Sequence, residues 1–145
     1  MKRIFMIEDN EDHALLIRRA VEGDGCAVTH YPDGLAALKA CEELSALEAR
    51  PDLVFLDLKL PGMDGFAVLQ NLRKLKPFGQ VPIVMLTTSR RREEIEKAYQ
   101  LGASGFVVKA EDFSELVAKL KQVKNYWFDT VEPPYSAPAV SVRKS

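Results

Sequence analysis

Cysteine is scarce in this chain of 145 residues: only Cys26 and Cys41 occur. Their separation fits no metal-binding spacing and no disulfide framework. They read as small, reduced core residues of a cytoplasmic protein. An excess of charge is also missing, because 20 Lys and Arg face 21 Asp and Glu for a net −1. A nucleic-acid partner is therefore not expected, since such binders carry a basic surplus. No apolar run approaches the roughly 20 residues that span a bilayer, so no membrane partner is expected either. The opening Ile4-Phe5-Met6-Ile7 meets Glu8 before a signal-peptide core can form. No internal repeat is present beyond an alternation of short and long segments. Hydrophobic residues are not lacking; at 47% they exclude a disordered chain. The length suits one domain with a tail.

That alternation runs five times. Ile4–Ile7 is a short strand-forming run, followed by Asn10 as a helix cap and by Ala14, Ile17 and Val21 at helical spacing. Gly23-Asp24-Gly25 breaks that helix before a second strand, Cys26–Tyr31, and Pro32-Asp33-Gly34 turns the chain. Leu38, Cys41 and Leu44 mark a second helix that ends before Arg50-Pro51. The third strand, Leu53–Leu56, stops at Asp57, and Phe66, Leu69 and Leu72 lie on the next helix. Val81–Leu86 forms a fourth strand closed by Thr87; Ile95, Ala98 and Leu101 mark the fourth helix, which stops at Gly102. Gly105–Val108 is the fifth strand, ended by Lys109, and the last helix runs from about Asp112 with Leu116, Leu120 and Val123 on one face. Strands apolar on both sides belong in a parallel sheet covered by helices. Five such units with right-handed crossovers make an α/β, doubly wound sandwich. Residues 133–145 turn to Pro, Ser and Ala and read as a tail.

The chemistry collects at one edge. Glu8 and Asp9, Asp57, Thr87 and Lys109 each end a different apolar strand. Ligands of open α/β sheets bind at that edge. Singly, each residue has an ordinary explanation: Asp9 and Asn10 as a helix cap, Lys109 as a surface residue, Thr87 as a strand end. Jointly, those explanations require four coincidences. Carboxylates ~4 Å apart repel by about 4 kcal/mol per pair at an effective dielectric near 20, so a cation must offset them. Lys109 supplies one positive charge, and an all-oxygen site suits magnesium. The set fits phosphoryl transfer, with Asp57 as a carboxylate nucleophile forming an acyl phosphate. Arg90-Arg91-Arg92 opposes the dipole of the fourth helix. His13 and His30 read as ordinary surface or edge residues.

Four stretches carry a family resemblance: Ile7-Glu8-Asp9-Asn10, Phe55 to Gly65, Leu86-Thr87 and Gly102 to Lys109. Together, across roughly residues 2–125, the chain resembles the receiver domain of two-component response regulators. The resemblance implies a flavodoxin-like (βα)5 fold with a parallel five-stranded sheet of order 2-1-3-4-5. It implies that Asp57 accepts a phosphoryl group from a sensor histidine kinase in a magnesium-dependent reaction. On the same ground Asp9 binds magnesium directly, Glu8 through water, and Lys59 through its backbone carbonyl. Thr87 and Lys109 contact the phosphoryl group, and Phe106 stands where the family keeps an aromatic switch. Two positions depart from the family pattern. Ala110 replaces the proline that usually follows the lysine, often through a cis bond; before alanine that bond costs ~2.5–4 kcal/mol. Thr88 replaces a very small residue and narrows access to Asp57.

The chain is thus expected to be a phosphoacceptor signalling protein rather than an enzyme, with a receiver at 1–125 and an extension at 126–145. The extension is too short for a DNA-binding or enzymatic output domain. A haloacid-dehalogenase-type phosphatase needs a second aspartate two residues after the nucleophile, where Lys59 stands. A degenerate docking receiver is disfavoured by the intact Asp9, Asp57 and Lys109, and a flavodoxin by the missing phosphate-cradling loop. Asn125-Tyr126-Trp127-Phe128-Asp129 is similar to the single-domain regulators associated with cyanobacterial and other bacterial phytochromes. That resemblance implies a bacteriophytochrome kinase and a homodimer through the C-terminal part. Tyr126, Trp127 and Phe128 either form an exposed interaction patch or fold back to close the domain edge.

Overall fold

The computed structural model describes residues 1–23, 25–44 and 49–134. The chain runs through β1 (Lys2–Ile7), α1 (Glu11–Val21), β2 (Cys26–Tyr31), α2 (Gly34–Glu42) and β3 (Leu53–Leu56). It continues through α3 (Gly65–Lys74), β4 (Ile83–Thr87), α4 (Arg92–Gln100), β5 (Gly105–Val108) and α5 (Phe113–Asn125). The strands form one parallel sheet in the order β2-β1-β3-β4-β5. This is the flavodoxin-like arrangement, and its strand order reverses between β1 and β3.

Strand periodicity of two sorts the core into two layers. Phe5, Ile7, Val54, Leu56, Ile83 and Met85 face the side that carries Ala37 and Leu38 of α2, Leu69 and Leu72 of α3, and Ala98 of α4. Ile4, Met6, Leu53, Phe55, Val84 and Leu86 face Ile17 and Val21 of α1 with Leu116 and Leu120 of α5. Thus α2, α3 and α4 cover one face, and α1 and α5 the other. Side-chain oxygens start α1 to α3 and α5: Asn10 accepts from the His13 N–H, Asp33 from Ala36, Asp64 from Ala67, and Asp112 from Ser114 and Glu115. Arg91 precedes α4 without any side-chain cap bond.

Several expected boundaries move. The fourth strand begins at Ile83, not Val81, because Pro82 has no N–H to give a ladder. Thr87 lies within it, opposite Val108. The second helix ends at Glu42, where the Glu43 and Leu44 N–H groups tighten onto Ala40 and Cys41 carbonyls. β5 is an edge strand and only half-buried, not apolar on two covered faces. The aromatic segment divides between the two courses left open above. Tyr126–Thr130 continues α5 as one wide π turn, and it folds Trp127 and Phe128 half-buried against the α1–α5 layer. Tyr126 stays 49% exposed and meets Trp127 edge-to-face at 5.0 Å. The expected tail from residue 135 onward and Asp24 of the glycine break lie outside the described residues.

Candidate functional site

The reversal of strand order opens a crevice beyond the carboxyl ends of β1 and β3, and the buried charges among the described residues meet there. Glu8 follows β1, Asp57 follows β3 and Lys109 follows β5; they are 1%, 6% and 6% exposed. Burial of an unpaired charge is costly, so such groups require partners. Lys109 Nζ donates to Glu8 Oε1 at 2.8 Å and to Asp57 Oδ2 at 3.2 Å. Asp57 Oδ1 accepts the Lys59 N–H at 3.1 Å, and Glu8 Oε2 accepts the Asn10 N–H at 3.2 Å.

Register sets these positions. Asp57 N–H donates to Ile7 O and Lys109 N–H to Thr87 O, so each loop leaves its strand tied to a neighbour. Gly65 lets the loop after β3 return close to its own start. A Cβ there would collide with the Asp57 carbonyl and lie 2.7 Å from Leu58 Cα. The Lys109–Ala110 bond is trans, as no cis peptide occurs among the described residues.

One carboxylate oxygen each from Glu8, Asp9 and Asp57 lies within 4.8 Å of the others. Lys109 is the cation that touches two of them, and it leaves the net charge of the cluster negative. Burial, with the Asp57 charge adding, pushes the Glu8 carboxyl up to about 7 against the pull of Lys109. All-oxygen donors around a charge deficit are the environment of a hard divalent cation.

The expected residues do not all converge by the same contacts. Thr87 is fully buried at the end of β4, and its hydroxyl accepts from the Ser89 N–H at 3.4 Å. Phe106 packs against the α2–α4 layer. The Lys59 ammonium turns away to Glu94 at 3.3 Å, and Glu94 also accepts from the Ser89 hydroxyl. His13 corrects the expectation of an ordinary surface residue: its Nδ1 lies 2.9 Å from Lys109 Nζ. Burial first, and then the Lys109 charge, lowers the imidazole pKa and favours its neutral form. His30 is likewise engaged, with Nε2 2.7 Å from the Glu8 carbonyl.

An aspartate at the carboxyl edge of a five-stranded doubly wound sheet, flanked by acids and faced by a lysine, defines a receiver. The response regulator receiver domain model matches residues 4–121, and the chain belongs to that family. The family is a phosphoacceptor signalling module. Among its relatives, the cyanobacterial phytochrome response regulator RcpA, solved in phosphorylated form, superimposes with a TM-score of 0.83. It is 31% identical and covers 92% of this chain and 99% of its own. Response regulator Rcp1 of Synechocystis sp. is 27% identical over 139 residues, 92% of this chain and 93% of Rcp1. Its Mn2+-bound structure gives a TM-score of 0.82 over 93% of this chain and all of that one. The receiver domain of the histidine kinase PA1611 of Pseudomonas aeruginosa, with magnesium in its active-site cleft, gives 0.68 at 26% identity. It covers 83% of this chain and 95% of its own.

Proposed function

We propose that the chain is a single-domain response regulator that takes a phosphoryl group from a sensor histidine kinase onto Asp57 and signals through protein contacts. The observation that carries this reading is the buried Asp57 carboxylate, held by Lys109 and the Lys59 N–H beside Glu8 and Asp9. One Asp57 oxygen attacks phosphorus while the P–N bond of a phosphohistidine breaks. The electron pair of that bond returns to the imidazole, and an acyl phosphate remains. Thr87 and Lys109 donate to the phosphoryl oxygens as charge develops there. Magnesium fits the acidic cluster, where Asp9 and Asp57 would hold it directly, Glu8 through water, and Lys59 through its backbone carbonyl. Bound there, it would neutralise charge on the transferring group. The chain itself supplies the nucleophile, its orientation and the cationic partner.

The reading extends to partners. Likeness to RcpA and Rcp1 over nearly the whole of each supports a phytochrome-linked kinase in the cytoplasm. Phe106 acts as a switch residue in a groove of about 760 Å³ along β5, which Tyr99, Val123, Tyr126 and Trp127 also line. This groove and the exposed Tyr126 support a homodimer through the C-terminal part, at residues 126–134 and the adjoining α5. Truncation after Lys124 should convert a sedimenting dimer into a folded monomer.

Acetyl phosphate with magnesium tests the central reading by intact mass. One phosphoryl group should be added, and Asp57→Asn should abolish it. Undiminished labelling of that variant would refute Asp57 as acceptor.

A further inference from the structure

An ammonium group has three N–H donors and no acceptor. In this protein all three of Lys109 are committed: to Glu8 Oε1 at 2.8 Å, His13 Nδ1 at 2.9 Å and Asp57 Oδ2 at 3.2 Å. Because the lysine can only donate, Nδ1 must accept, which places the imidazole proton on Nε2. His13 comes from α1, a separate element from those that carry the two carboxylates. Its backbone is fixed where the helix starts, since the His13 N–H donates to the Asn10 cap oxygen at 3.0 Å. The ring is 30% exposed, so it closes one side of an otherwise buried cluster.

We propose that His13 is a positioning residue for the phosphoryl chemistry: by accepting one N–H of Lys109, it aims the ammonium at Asp57. The inference rests on the function proposed above. With the two carboxylates alone, nothing holds the ammonium between them, and it can settle toward Glu8, the nearer partner. A neutral acceptor in a third direction removes that freedom without competing for the charge. Nζ is tetrahedral, so fixing two N–H directions on Glu8 and His13 leaves one, and it points at Asp57 Oδ2. When Asp57 carries a phosphoryl group, that same N–H meets a phosphoryl oxygen with no search. Small misplacements of a charged group can cost up to ~100-fold in rate. Loss of a partner that only aims the lysine should therefore cost about tenfold.

Full-length His13→Leu and His13→Asn separate positioning from packing. Leucine fills space without accepting a hydrogen bond, whereas the asparagine oxygen stands in for Nδ1. With acetyl phosphate and saturating magnesium, His13→Leu should be labelled about tenfold more slowly than the parent, and His13→Asn within about twofold. In 15N spectra the Lys109 ammonium protons should exchange with water faster in His13→Leu and return to parental protection in His13→Asn. Equal labelling rates for His13→Leu and parent would overturn the proposal, as would a His13→Asn variant as slow as the leucine one. A parent that takes no phosphoryl group would overturn both this inference and the proposed function. Normal parental labelling with an indifferent leucine variant removes this inference alone.

Discussion

Two partly or wholly buried cations, Arg73 and Lys109, are held by opposite kinds of partner. The Arg73 guanidinium donates to backbone carbonyls of Gly102 at 2.9 and 2.7 Å, Phe78 at 2.8 Å and Val81 at 2.6 Å, and to Ser104 Oγ at 3.2 Å. It ties the end of α3 to the turns before β4 and β5. Gly102, at φ +106°, presents its carbonyl there, and the arginine side chain occupies the space above it. The Lys109 ammonium instead donates to side chains, two carboxylates and an imidazole. Backbone acceptors are fixed by the fold, whereas side-chain acceptors can change protonation, take up a metal ion or be phosphorylated. The first arrangement builds structure; the second leaves a cation able to exchange partners. Burial alone does not distinguish them.

The sharpest way to break this contrast is to remove each cation. Arg73→Ala strands several carbonyls at once and should lower stability by about 3–5 kcal/mol in urea titration, with magnesium affinity retained in the folded fraction. A loss under 1 kcal/mol would make the clasp decorative. A pH series is next. Glu8 has a folded pKa of about 7, above its ordinary 4.5, so its stabilising contribution is full below 4.5 and lost as pH rises through about 7. Relative to Glu8→Gln, the metal-free parent should therefore gain on the order of 3 kcal/mol between pH 8 and pH 4.5. Parallel pH profiles for the two proteins would contradict it.

Asp9→Ala should weaken magnesium binding about tenfold more than Glu8→Ala, because one is assigned a direct contact and the other a bridged one. Equal losses in titration calorimetry would remove that distinction. The smallest effect is on folding of Lys109→Met. Proton uptake by Glu8 can replace the lost ammonium, so the cost near pH 7 should be about 1 kcal/mol. Phosphorylation of that variant should leave hydrogen exchange around α4 unchanged. A normal phosphorylation-induced change there would show that Lys109 does not relay the signal.

What the sequence made legible follows from the length scale of each signal. Apolar runs ended by Glu8, Asp57, Thr87 and Lys109 are local patterns, so the strands, their direction and the acidic edge could be read directly. His13 could not be paired in this way: its partner lies 96 residues away, and a single histidine on a helix carries no mark of that contact. The signal that was available is its place in the first turn of the helix that begins just beyond the acidic edge. The Arg73 clasp is equally silent, because carbonyl acceptors have no residue signature. Trp127 and Phe128 were harder for another reason. Five strands and five helices suggested a filled core, yet among the described residues α1 and α5 leave part of that face open, and the π turn packs there.

Lys109 should exchange partners when Asp57 is modified, while Arg73 should keep its own. Side-chain 15N spectra of the magnesium-loaded protein, before and after acetyl phosphate, report both cations in one sample. The Lys109 ammonium resonance should shift on phosphorylation, the Arg73 Nε resonance should stay in place, and in Asp57→Asn acetyl phosphate should move neither resonance. A stationary Lys109 signal in fully phosphorylated protein, or equal movement of both cations, would contradict it.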